Sequence, residues 1–339
     1  MRPGRLAVLA LVLCLGGRTA PAAECPGPAE CCVDKVADEL TETVRVSVGV
    51  VMVGIYNVNE KSGTWDGAYY LYEAWTPRAG FVPQTEVVNE VDRLHEANAG
   101  LWKQGDRCVR YTRIRSTLSS PLNLRLFPFD RQQLTVQLSD NWLSSDMRYE
   151  DTPFIKGVDD SVLGQLSQWE VGQEMSYLRE SRLFKWEEGM WGGERPYYDY
   201  ATFGMTVRRH TTFHLTKFFL PLLIIVLVSI TVFWVDPDDL ASQVGIGVTC
   251  LLAAIAFQLA QASTLPEVAY LTLADLVFAL SYLTIALALV ESLYSNALAR
   301  QGGRDRALRI DRICRWAFPL GFLLLVAASA LLSARPTAG

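Results

Sequence analysis

The chain has 339 residues, half of them hydrophobic and only 20% charged. That length allows roughly two domains, and the composition excludes a disordered protein, which needs low hydrophobicity and high net charge. With 31 basic against 36 acidic residues and a net charge of −5, it also speaks against a nucleic-acid partner.

The chain begins Met1-Arg2-Pro3-Gly4-Arg5, runs uncharged from Leu6 to Gly17 and reaches Ala20-Pro21-Ala22. A basic start, a short apolar stretch and a small-residue site mark residues 1–22 as a secretory signal peptide, with an uncleaved anchor as the alternative. Residues from 23 onward are therefore expected outside the cytoplasm, where Cys25, Cys31, Cys32 and Cys108 can form disulfides. Three pairings are open. Adjacent Cys31 and Cys32 are poorly placed to pair with each other, and Cys108 is expected to tether the N-terminal segment.

Residues 23–215 alternate with a period of two. Val44, Val46, Val48 and Val50 interleave with Arg45, Ser47 and Gly49, and Leu134, Val136 and Leu138 with Gln133, Thr135 and Gln137. Ala201, Phe203, Met205 and Val207 interleave with Tyr200, Thr202, Gly204 and Thr206. This is the pattern of strands with one buried face, and many of them separated by turn clusters predict an immunoglobulin-like β-sandwich. One helix is expected, over Glu86–Ala99. His210 and His214 stand four apart in the expected last strand, on one face but far apart, so a structural role is expected, with metal or proton sensing as the alternative. No nucleophile, phosphate loop or metal set marks an enzyme, and no cofactor is expected.

Four apolar segments follow, Phe218–Val235, Val244–Ala260, Val268–Val290 and Trp316–Ser333, each long enough to span a bilayer as a helix. They define a transmembrane domain over residues 216–335, with spans about 217–235, 240–262, 268–293 and 313–333. Arg300, Arg304, Arg306, Arg309 and Arg312 crowd the 294–311 connection and its margin, which the positive-inside rule places in the cytoplasm. The sandwich and the C-terminus then lie outside the plasma (inner) membrane.

The second span is too polar for lipid. Ser242, Gly245, Thr249, Leu252, Ala256, Leu259 and Ser263 recur at alternating spacings of three and four, which is one stripe of a helix. Copies meeting around an axis would make this stripe a pore whose leucines close it by dewetting. Close packing of helices through small residues is the other reading.

Several motifs carry a family resemblance. The segment Ser120-Pro121-Leu122-Asn123-Leu124-Arg125-Leu126-Phe127-Pro128-Phe129-Asp130, the Arg209 that ends the last strand and the Pro221 of the first span come in that order. Val244-Gly245-x-Gly247-x-Thr249-x-x-Leu252, Leu265-Pro266-x-Val268-x-Tyr270 with Asp275, and Arg312-x-x-Arg315-x-Ala317-Phe318-Pro319 follow. Together they resemble the pentameric ligand-gated ion channels, the Cys-loop receptor superfamily, in their bacterial form. Ser120 and Leu134 stand where animal members carry the two loop cysteines.

The resemblance implies a homopentamer in the lipid bilayer, with partners limited to itself, inorganic ions and a small-molecule agonist, an amine or another class, or protons. It implies a gate at Leu252 and Leu259. Coupling is expected through Phe127, Pro128 and Phe129 against the turn carrying Pro266 and Tyr270, and through an Asp130–Arg209 ion pair. An agonist site between subunits is expected from Tyr70 and Tyr72 on one face and Phe81, Trp142, Tyr197, Tyr198 and Tyr200 on the other, since aromatic faces attract cations. Asp236, Asp238 and Asp239 at the inner mouth would favour cations. A non-conducting receptor with a solute-binding sandwich is the alternative function.

Overall fold

A computed structural model describes residues 43–333, apart from residues 79, 153–154, 163–165, 186–195 and 262–267. The signal peptide, Cys25, Cys31, Cys32, Ser263 and Pro266 fall outside the described residues.

The first half is a sandwich of two sheets. One has the order β4-β5-β2-β1-β7, with β8 also paired to β1. Its strands are β1 (Val44–Asn59), β2 (Thr64–Trp75), β4 (Glu90–Gln104), β5 (Arg107–Ser119), β7 (Met147–Asp151) and β8 (Gly157–Val158). The other, β3-β6-β10-β9, is built from β3 (Thr85–Val87), β6 (Arg131–Leu143), β9 (Trp169–Leu183) and β10 (Tyr197–Arg209). The alternating residues point as expected. Val46, Val48 and Val50 from one sheet and Leu138, Ala201, Phe203 and Val207 from the other are at most 1% exposed and meet in a single core around Trp65, Tyr69 and Tyr149. Trp65 also donates its indole N–H to Ser120 Oγ at 3.0 Å, so its one polar atom is paired within the core.

The helix expected over Glu86–Ala99 is absent. The segment forms β3, a turn and β4, and Val88, Val91 and Leu94 are 46%, 62% and 46% exposed. Register shifts against β5 between Glu90 and Asp92, Arg93 and His95, and Ala97 and Gly100 explain the misreading. Each bulge inserts a residue and breaks the period of two, which leaves apolar residues at helix-like intervals in an edge strand. Strand β10 ends at Arg209, so His210 and His214 lie beyond the last strand, not within it. Cys108 is disulfide-bonded. The other described cysteines, Cys250 and Cys314, are free, so its partner lies outside the described residues.

The second half is helical and apolar. Three continuous helical stretches are long and apolar enough to cross a membrane: Thr212–Trp234 (α1), Leu240–Gln261 (α2) and Leu273–Ser333. The third has 61 residues, about 90 Å if straight at 1.5 Å per residue, three times a bilayer core. It does not run straight. Gly302 has φ +83°, a left-handed conformation suited to glycine, and divides it into α3 (Leu273–Leu298) and α4 (Arg304–Ser333). The arms lie antiparallel, because Ser295 Oγ on α3 donates to Asp311 Oδ1 on α4 at 2.9 Å. The turn between them is Ala299–Gly303, far shorter than the 294–311 connection expected, because helix geometry continues into the arginine-rich stretch while Ala307 and Asp311 pack inward.

Trp65→Ala is expected to cost about 3–5 kcal/mol, the range for emptying a buried aromatic site, and a lowered urea midpoint of the sandwich would register it.

Candidate pore, ligand-facing and coupling surfaces

The α2 helix settles which way its stripe faces in one chain. Ser242, Gly245, Thr249, Leu252, Ala256 and Leu259 are all exposed, Leu252 at 61% and Leu259 at 72%. The opposite side, Gln243, Gly247, Cys250 and Ala254, is buried against the other helices. The two glycines separate the packing and pore readings. A Cβ on Gly247 would come within 3.0 Å of Leu289 Cδ1, so that glycine serves close helix approach. A Cβ on Gly245 would meet nothing within 4 Å. The small residues therefore divide between packing on one face and an open stripe on the other.

Three acids precede α2, and among the described residues two of them pair with a cation. Arg304 donates to Asp236 Oδ2 at 2.6 Å and to Asp238 Oδ2 at 2.7 Å, so one guanidinium serves two carboxylates. Asp239 caps α2 instead. Its Oδ1 accepts from the Ser242 N–H at 3.2 Å, and hydrogen bonding by Ser242 holds its carboxyl below the usual range. It stays ionised, at a helix N-terminus that favours negative charge.

The aromatic residues form two groups on different sheets. On the outer face of β2 and β5, Tyr70, Tyr72 and Tyr111 lie 6.1 to 6.2 Å apart between ring centres, with Trp102 5.6 Å from Tyr111. Arg113 stands 5.7 Å over the Tyr70 ring. The other group gathers beside β6 and β10. Phe81 is buried and 5.3 Å from Trp142, whose indole N–H donates to Val82 O at 3.1 Å. Tyr197 is exposed, Tyr198 half-buried and Tyr200 buried beneath Arg182 at 4.7 Å. Among the described residues no ring pairing joins the two groups. Tyr111, Trp102 and Arg113 were missed from the sequence, although 111 and 113 share the period-two face opposite inward-facing Thr112.

The junction between sandwich and helices turns on one buried cation. Arg209 is 3% exposed and Asp130 2%. Arg209 Nε donates to Asp130 Oδ1 at 2.7 Å and Nη2 to Oδ2 at 3.1 Å, a bidentate pair. Its Nη1 reaches Glu60 Oε1 at 2.5 Å, a third member that carries no local motif. The guanidinium lies 4.1 Å over Trp169 and 4.7 Å over Phe127. Burial works against its charge, but the hydrogen bonds it donates to Asp130 and Glu60 outweigh that and hold its pKa above the ordinary value.

The loop around Asp130 reaches down onto the helices. Phe127 meets the His214 ring at 5.0 Å and Phe129 the Phe219 ring at 6.1 Å, both at the base of α1. The Tyr270 hydroxyl accepts from the Leu124 N–H at 2.9 Å, and the Leu273 N–H donates to Arg125 O at 2.8 Å. Within the described part of the turn, Leu124 and Arg125 make the contact expected of Phe127 and Phe129. The reason is geometric: the tight turn through Pro128 aims the two phenyl rings at α1. No group of three metal-binding side chains occurs among the described residues.

Asp130→Ala leaves Arg209 with Glu60 alone, and stranding one partner of a buried pair costs about 3–5 kcal/mol. The double variant Asp130→Asn/Arg209→Gln should lose less stability than the sum of its single variants, as read by thermal unfolding.

No protein-family model matches the chain. It is 25% identical over 310 residues to the proton-gated ion channel of Gloeobacter violaceus, covering 84% of this chain and 81% of that protein. It is 30% identical over 179 residues to the human glycine receptor subunit beta, covering 52% of this chain and 33% of that one. It is 28% identical over 196 residues to pH-sensitive chloride channel 2 of Drosophila melanogaster, covering 56% and 36%. The chain thus spans about a third of the length of these two animal relatives. All three are named as channels or receptors and none as an enzyme. A β-sandwich set on apolar helices, a loop pressed between them and these relatives lead to one family: the chain is similar to the pentameric ligand-gated ion channels, the Cys-loop receptor superfamily, and fits its bacterial type without the loop cysteines.

Proposed function

We propose that five copies of this chain form a gated pore lined by α2, with the sandwich outside the plasma membrane and the arginine-rich turn inside. The observation that carries this reading is the exposed stripe of α2. Leu252 and Leu259 in a lone chain present large apolar surface on a face that also carries Ser242, Gly245 and Thr249. Cyclic symmetry turns such a face into a closed ring. Rings of Leu252 and Leu259 then exclude water and close the path by dewetting, while Thr249 offers hydroxyls to a hydrated ion. Four crossings per chain follow from the antiparallel α3 and α4.

The two aromatic groups lie on different sheets of one subunit, so a ligand touching both must sit between neighbours. Tyr70, Tyr72 and Tyr111 would supply one wall, and Phe81, Trp142, Tyr197, Tyr198 and Tyr200 the other. Movement at that site would pass down β6 and β10 to Asp130 and Arg209, and from the loop around Phe127 to α1 and Tyr270. Cation preference rests on Asp239, because Arg304 engages the other two acids.

Leu252→Ala is expected to give a constitutive leak in liposomes, and a closed variant would overturn the gate. Asp239→Asn is expected to shift the reversal potential in a salt gradient toward that of a non-selective pore. A wild-type channel that reverses at the anion potential would remove the cation assignment.

A further inference from the structure

Beneath the Phe81–Trp142 wall lies a cluster of buried charges that the gating path above does not use. Glu73 on β2 points inward and is 2% exposed; Asp140 near the end of β6 is 4% exposed. Arg110 on β5 is the cation of the cluster, and it is committed. Its Nε and Nη2 hold Glu73 at 2.5 and 2.8 Å, and Nη2 also donates to Pro83 O at 2.9 Å. Asp140 has no ion pair among the described residues. Its Oδ2 accepts from the Gln84 N–H at 2.8 Å and from Thr85 Oγ1 at 3.4 Å, and its Oδ1 from the Trp142 N–H at 3.1 Å. The other groups facing it are accounted for. On β7, the Tyr149 hydroxyl donates to Thr85 Oγ1 at 3.1 Å, and the Tyr149 N–H donates to Asp199 on β10, which Arg179 on β9 neutralises. The ledger of the cluster is two acids, one arginine and one carboxylate too many.

A buried, uncompensated carboxylate can relieve its cost by taking a proton. We propose that Asp140 is a proton-binding site of the sandwich, and that protonation there loosens the Phe81–Thr85 loop from Trp142. This rests on the reading of Phe81 and Trp142 as one wall of the agonist site, and it makes acidity a regulator of that wall. The ionised carboxylate at the strand end ties the loop through the Gln84 N–H and Thr85 Oγ1, and holds Trp142 of its own strand through that residue's N–H. Hydrogen bonds to an ion are about twice as strong as neutral ones, so a neutral carboxyl grips these donors less. Burial is the main cause that raises the Asp140 pKa, and Glu73 adds to it; together they outweigh the backbone donors and bring it to about 6. Asp140 is thus charged at neutral pH and takes up its proton in mildly acid solution. It acts as a positioning residue, through the backbone of its neighbours.

Infrared difference spectra of the full-length protein in nanodiscs test the site. Acidification should add a protonated-carboxyl band with a midpoint of about 6, and Asp140→Asn should abolish it; a band unchanged in that variant overturns the site. Glu73→Gln removes the neighbouring acid and frees Arg110, so it should move the midpoint roughly one unit more acid. An unmoved midpoint overturns the electrostatic argument even where Asp140→Asn does not fold. A bimane label on Val82→Cys, with Cys250 and Cys314 replaced by Ser, reads the wall through quenching by Trp142. Emission should rise on acidification and stay flat in Asp140→Asn, whereas a label unresponsive in the otherwise native chain overturns the positioning role. None of these signals passes through the pore, so a failure of the channel reading and a failure of this one are told apart.

Discussion

The structure depends on Arg209. A guanidinium that is almost fully buried must be paired on every side or it costs several kcal/mol, and here Asp130, Glu60, Trp169 and Phe127 surround it. Those four residues come from β9, the tip of the β1–β2 hairpin and the loop before β6. One charge therefore fixes three separate pieces of the sandwich at the point where the chain enters α1. The geometry leaves little slack: the phenyl ring of Phe127 that covers the guanidinium on one side touches His214 of the helical half on another. A shift of the loop has to move either the ion pair or the helix.

The same economy recurs at the opposite end of the helices. Arg304 opens α4 and braces Asp236 and Asp238 of the α1–α2 turn, while Asn296 Nδ2 donates to Pro237 O at 2.6 Å. Those acids could not be weighed from sequence, because the residue that engages two of them lies more than sixty positions away. The Arg304 pairs are about half exposed, so each contributes modestly and is screened by salt. The buried Arg209 cluster and the exposed Arg304 brace are thus unequal anchors of the helical half.

Where one periodic rule governs a segment, the fold was legible in advance. Val46, Val48 and Val50 against β2, or Phe203, Met205 and Val207 against β6, alternate without interruption and pair without bulges. The α2 stripe obeyed the helical rule from Ser242 to Leu259. Legibility failed where the backbone departs from one period. Three bulges made β4 resemble a helix, and a single left-handed glycine set the α3–α4 turn. It failed again where function-bearing contacts are long-range. Asp130 and Arg209 were found through their motifs, but Glu60, Tyr111 and Asp140 take part through tertiary neighbours. Nothing in their local sequence announces which side chain will face them.

The shortness of the two turns at the Arg304 end has a consequence for what surrounds the protein. Val235–Asp239 and Ala299–Gly303 are the chain that joins the helices there, and Arg304 and Asn296, on either side of the second turn, brace the first. On the proposed topology this inner end is built of the helix ends themselves, because α4 carries Arg304, Arg306, Arg309 and Arg312 ahead of its apolar span. Among the described residues no separate folded unit stands between the two turns, so an ion leaving the proposed pore would pass only a rim of helix ends. That places the sandwich and the bilayer as the larger surfaces through which the proposed channel could be controlled.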